Sequence, residues 1–222
     1  MSSQTYTVVS TPDRALVYTN HLYVSAEDQI LNYLTIKQMS CYIQLNNFVF
    51  TISPHPKIQQ RQIALSSLHR EMLKVSLNDL VSVQPFMLPA GGAINLISCR
   101  LTLELIKVKF ATLSEKICAE IVTTSLAKQI LTRNQVFALD IMGTPCKFSV
   151  QVCETPVVSK DKSDQITQFS DRGLLLPESI VEIDAIGESK NFKFEKNAAN
   201  KKSRILDPNW KFEDMGQMKE RS

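Results

Sequence analysis

From Ala15 to Phe86 the chain alternates short apolar segments with polar turns: Leu22–Val24, Tyr42–Leu45, Phe48–Ile52 and Leu80–Val83. Strands this short and this closely spaced predict a small barrel or sandwich, each burying one face and wetting the other. Ser53-Pro54-His55-Pro56 follows the third of them, and because each proline lacks a ladder donor a loop is predicted there. Ser67 to Lys74 has room for a turn or two of helix. Ser76–Asp79 then returns the chain to the strand at Leu80.

Pro85, Pro89, Gly91 and Gly92 cluster as breakers, which predicts an interdomain connector with a boundary near Gly92. Beyond it Leu101–Leu105 alternates as a half-buried strand should. Thr112 stands three residues before Glu115, a T-x-x-E capping box that predicts a helix start. Leu113, Ile117, Ile121, Leu126 and Ile130 then fall near one face, leaving Glu115, Lys116, Glu120 and Lys128 toward water. Val136–Ile141 and Lys147–Val152 flank Met142-Gly143-Thr144-Pro145 and read as a hairpin. Strands over Ser179–Ile186 and Asn191–Glu195 complete an α+β second domain. Ser159–Ser170 reads as a polar excursion, and Asn197–Ser222, charged and poor in apolar residues, as a linker.

Length changes this picture little: 222 residues suit two domains of roughly 100 each, with one large all-β domain as the alternative. A hydrophobic content of 44% and a charged content of 21% are those of a soluble globular chain. A net charge of +3 is too mild for bulk nucleic-acid binding. The five cysteines, Cys41, Cys99, Cys118, Cys146 and Cys153, are dispersed without a C-x-x-C pair. That spacing favours reduced, buried thiols of the cytosol over a disulfide framework or zinc site. Neither a secretory start nor a run of about 18 apolar residues occurs, so a cytoplasmic chain, recruited to membranes only peripherally, is expected.

Candidate chemistry is sparse. No G-x-x-x-x-G-K-S/T phosphate loop is present, so neither ATP hydrolysis nor a cofactor is expected on this chain. His21, His55 and His69 lie in different segments and read as surface or packing residues rather than ligands. Asp140 is a lone strand-end acid, and Gly91 and Gly92 suit a hinge. Arg61, Arg70, Lys74, Lys107 and Lys109 would form a positive surface for an acidic protein if the domains pack side by side; ordinary solvated side chains are the alternative. Lys190, Lys193, Lys196, Lys201, Lys202 and Arg204 read as a solvated basic tract.

Ile205-Leu206-Asp207-Pro208-Asn209-Trp210-Lys211-Phe212-Glu213-Asp214-Met215-Gly216, which holds the single tryptophan, resembles a linker. Its counterpart joins the N-terminal region to the first ATPase domain in vesicle-fusion AAA ATPases of the N-ethylmaleimide-sensitive-factor type. Phe50–Pro56 resembles that family's strand and His-Pro turn, and Ser67–Arg70 with Leu77–Val83 its arginine-bearing turn and returning strand. Asn20 and Val24–Asp28 are similar to its start.

The resemblance implies a mixed α+β chain: a double-psi β-barrel over 1–88, a connector over 89–93, a small α/β roll over 94–196 and a linker over 197–222 toward an ATPase domain. It implies an adaptor-recruitment region that binds soluble attachment proteins and, through them, SNARE complexes, which the full-length ATPase disassembles with ATP and Mg. The isolated region would be a monomer and the parent a homohexamer. Arg70 and Lys109 match basic positions implicated in adaptor binding. A third family arginine falls near Ser10, where Arg14 is the substitute; Lys107 and Lys74 flank the set. Two other readings compete: the similar N-terminal region of a valosin-containing-type ATPase, and a stand-alone double-psi barrel enzyme.

Overall fold

The computed structural model describes residues 3–36, 41–89, 93–107, 110–157 and 167–197, the side chains of 35 and 36 excepted. Most of the expected connector, Lys109, most of the 159–170 excursion and all but Asn197 of the expected linker lie outside these residues.

Six strands close a barrel in the order β1-β5-β2-β4-β3-β6. They are β1 (Gln4–Ser10), β2 (His21–Val24), β3 (Tyr42–Leu45), β4 (Phe48–Pro54), β5 (Gln62–Leu65) and β6 (Leu80–Pro85), with helices α1 (Gln29–Ile36) and α2 (Ser67–Leu73) between them. Two pairs are parallel, β1 with β5 and β2 with β4; the other four are antiparallel. Exchanging β1, β2, β3 for β4, β5, β6 carries every pairing onto another pairing. α1 follows β2 just as α2 follows β5, so the barrel is two interlocked β-β-α-β halves. Closure leaves no free edge. Tyr6, Val8, Leu22, Ile43, Leu45, Phe50, Ile63 and Leu65 fill its interior, each at most 1% exposed. A mixed α+β chain with this closed barrel agrees with the double-psi expectation.

The second unit is built on a sheet ordered β10-β11-β7-β14, with β12 added beside β11. Its strands are β7 (Ser98–Leu105), β10 (Val136–Ile141), β11 (Thr144–Pro156), β12 (Thr167–Ser170) and β14 (Ile180–Ala185). α3 (Glu115–Ser125) packs against β14, and two small pairs flank the sheet: β9 (Ile130–Thr132) with β13 (Arg172–Leu174), and β8 (Ala111–Ser114) with β15 (Phe192–Glu195).

Three local expectations are corrected. Thr112 lies inside β8, opposite Lys193, so it caps nothing; the helix begins at Glu115. Glu115 is 3% exposed instead of solvated, its carboxylate accepting the amides of Ile183 and Asn197 at 3.2 and 2.8 Å. That anchor rotates the helix, so Cys118 and Val122 are buried while Ile117 stays 40% exposed, and Ile130 belongs to β9. Second, β4 continues through Ser53 and Pro54, in parallel register with β2, because Pro54 occupies the final position where its missing donor costs nothing. Third, residues 167–170 of the expected excursion form β12 on the sheet. The hairpin loop is also tighter than expected: Met142 and Gly143, both at positive φ, make the turn alone, as the strand twist favours, and Asp140 accepts the Gly143 amide.

A polar relay crosses between the units. His69 Nε2 lies 3.2 Å from Asn20 Oδ1, Asn20 Nδ2 donates to Gln129 Oε1 at 3.1 Å, and Gln129 Nε2 donates to the Thr19 carbonyl at 2.9 Å. Tyr42 Oη donates to the Lys128 carbonyl, and Tyr42, Val49, Ile94 and Ile130 share an apolar cluster. Arg172 stacks 5.6 Å over Phe86 and donates to the Asn47 carbonyl.

Close approach also fixes Gly173: a Cβ there would lie 2.3 Å from Leu96 Cδ2 and 3.1 Å from the Ile94 carbonyl oxygen. Gly173→Ala is therefore expected to cost about 1–3 kcal/mol by overpacking. Urea unfolding checks this; an unchanged midpoint would mean that Leu96 swings aside freely.

Candidate binding surface

Arg70 is set by a short helix with a defined start. Ser66 caps α2, its Oγ accepting the His69 amide at 3.1 Å and its carbonyl the Arg70 amide at 3.0 Å. The half-buried Arg70 then turns back and donates from Nη1 to the Leu65 carbonyl at 2.9 Å. That contact uses one of five guanidinium donors and leaves the others for a partner. Lys74 ends the helix in the left-handed region, φ 56°, and is exposed beside Glu71.

Parallel pairing brings one further position to this end. Ser10, the last residue of β1, stands opposite Leu65, the last of β5. Ser10, near which the resemblance implied an arginine, thus adjoins the strand end that holds Arg70. Arg14, exposed, opens the 3-10 turn Arg14–Thr19 a few residues beyond Ser10. Its neighbour Asp13 faces Lys57 and His55 at 3.3 and 3.5 Å. Arg61 does not join the group: it precedes β5 at the opposite end, four strand steps or about 13 Å from Leu65.

Both α2 and the 3-10 turn pack on β10, where Met72 Sδ accepts the Val136 amide at 3.1 Å. Lys107, exposed, follows the end of β7, next to Ile106, whose amide donates to the Pro145 carbonyl at 3.1 Å. It therefore lies at the hairpin end of β10, five strand steps or about 17 Å from Val136. Arg70 and Lys74 share one end of the barrel; Arg14 stands beside Asp13, whose partners His55 and Lys57 follow β4 at the end where β5 starts, and Lys107 stands apart, a strand length away.

The buried relay went unread in the sequence because its members, Asn20, His69 and Gln129, are separated by 49 and 109 residues. His69 is 2% exposed, its Nδ1 has no partner, and burial, with His21 nearby, lowers its pKa to about 4. Burial likewise lowers His21, which meets Ser53 Oγ through Nδ1. Cys118 is pushed up to about 11 and Cys146 and Cys153 to about 12, chiefly by burial. Such thiols pack as apolar side chains. Among the described residues no group of three or more His, Cys, Asp or Glu is placed to hold a metal, and no helix is long and apolar enough to cross a membrane.

The closed six-stranded barrel agrees with what the resemblance to the N-terminal region of a vesicle-fusion ATPase implied. In particular, the chain is 30% identical to the vesicle-fusing ATPase of Arabidopsis thaliana over 191 aligned residues, 83% of this chain and 24% of that protein. It thus spans about a quarter of the relative it matches. No protein-family profile matches the chain.

Proposed function

We propose that this chain is the recruiting end of a vesicle-fusion ATPase, binding soluble attachment proteins and, through them, SNARE complexes. The carrying observation is the similarity to a vesicle-fusing ATPase over most of the chain, joined to a closed barrel with Arg70 at one end. In this reading the barrel and the α+β unit are two subdomains meeting near 89–93, and 197–222 leads toward an ATPase domain. ATP and Mg serve that domain, not this region. The isolated region is a monomer and its parent a homohexamer, acting in the cytoplasm at membranes reached through the adaptor.

Arg70 and Lys109 are the central contacts, with Lys107, Arg14 and Lys74 adding positive charge for an acidic adaptor. Exposed charge pairs of this kind steer association and weaken with salt, since the screening length falls from about 10 Å at 0.1 M to about 3 Å at 1 M. Arg70→Glu and Lys109→Glu together are expected to abolish capture of the adaptor in a low-salt pull-down, with a thermal melt of the double variant checking that the chain stays folded. Retained capture would overturn the site.

A further inference from the structure

We propose that the hairpin end of the second sheet is an apolar anchor site for the acidic adaptor, taking a segment in which an apolar side chain stands beside carboxylates. This rests on the adaptor reading above and adds to it a contact that charge does not supply.

Four neighbouring strands end together here. Ile141 pairs with Thr144, Cys146 with Leu105, and Ala185 with Leu103, so Met142, Ile106 and Ile186 lie on the adjoining ends of β10, β7 and β14. The Ile106 amide bonds to Pro145 and the Ile186 amide to Leu103, which fixes both residues against the sheet. Three strand spacings make this row about 14 Å wide. Exposure is 76% at Met142, 44% at Ile106 and 53% at Ile186. Phe110, four residues after Ile106 and so within about 14 Å of it, is 86% exposed. Single exposed apolar residues are ordinary, but three gathered at one sheet end, with Phe110 within chain reach of them, mark an interaction surface.

Charge selects the occupant. Lys107 is exposed directly after Ile106. Lys190 is exposed in the loop after Ile186. The acids of this end are engaged within the fold. Glu104 meets Lys147 at 2.5 Å, Asp184 meets Lys196 at 2.5 Å, Asp140 accepts the Gly143 amide, and Glu188 accepts the Phe194 amide at 3.0 Å. An apolar row edged by lysines fits an apolar side chain flanked by carboxylates, and it is continuous with the Lys107 contact already proposed.

The test is titration of the 222-residue chain with the adaptor at roughly 0.05 M and 0.5 M salt, reading affinity by calorimetry. Phe110→Ser and Met142→Ser are expected each to weaken binding about tenfold with an unchanged salt slope, and Lys107→Ala to weaken it less while flattening the slope. All three side chains are exposed, so melting temperatures should hold. Unchanged affinity in both serine variants, with capture still lost in the Arg70→Glu variant, would overturn this inference and leave the adaptor reading standing. No binding by the unsubstituted chain would overturn both. Sedimentation showing a dimer that Phe110→Ser dissociates would assign the patch to a second copy and also overturn it.

Discussion

Acidification is expected to remove roughly 3 kcal/mol of stability through one side chain, His69, whose pKa falls from 6.5 to about 4 in the fold. The cause is geometric. Asn20 donates its amide to Gln129 and so presents Oδ1 to the ring, which requires His69 to carry its proton on Nε2. Nδ1 is then a bare acceptor, tolerable without a partner; protonating it would create a buried cation with a donor facing nothing. The groups around it offer no countercharge: Phe50 edge-on at 5.3 Å, the amide of Asn20, and His21, whose own charge would repel. The native state thus binds fewer protons than the unfolded chain between these pKa values. Stability is fully present above about 6.5 and is lost as the pH falls toward 4. Unfolding free energies measured across that window, set against a His69→Gln variant, isolate this contribution from the carboxylates. Parallel curves for the two proteins, or a normal His69 titration by NMR, would refute it.

Truncating Phe148 is expected to cost about 3–5 kcal/mol, a large share of the 5–15 kcal/mol typical of a whole domain. Phe148 is fully buried and lies directly opposite Phe137 in the β10–β11 register, the rings stacked at a centroid distance of 5.4 Å. Phe148→Ala removes the transfer energy of the ring and leaves Phe137 lining a cavity in the sheet's core. Met142→Ala, one position beyond that register's last pair and 76% exposed, should change stability by no more than about 0.5 kcal/mol. Guanidinium unfolding of both variants measures the contrast; a small loss at Phe148 would mean the core refills from neighbouring side chains.

Local patterns in the sequence determined several elements. The alternation at Phe48–Ile52 became β4, the hydrophobic blocks around Met142-Gly143 became the hairpin, and Ser67–Lys74 became α2 with its cap. Each depends on neighbours within a few residues, the range over which periodicity and turn chemistry operate. Other short elements left no clear period. β1, β5, β9 and β13 are three to seven residues long, and α1 starts where Asp28 accepts the Ile30 amide while also holding Tyr6 at 2.6 Å. The Thr112–Glu115 pair carried a capping signal that strand pairing with β15 overrode. The resemblance pointed to Arg70 and Lys109 as adaptor contacts but could not say which basic residues share an end. Parallel pairing of β1 with β5 brings Ser10 toward the strand end that holds Arg70 and sends Arg61 away, because strand direction is settled only when the barrel closes. The same closure turns Asn20, His69 and Gln129 from three scattered polar residues into one buried relay. What the sequence determined were the contacts that lie close along the chain; the charge of His69 and the grouping of the basic side chains depend on burial and on distant neighbours, which tertiary structure alone supplies.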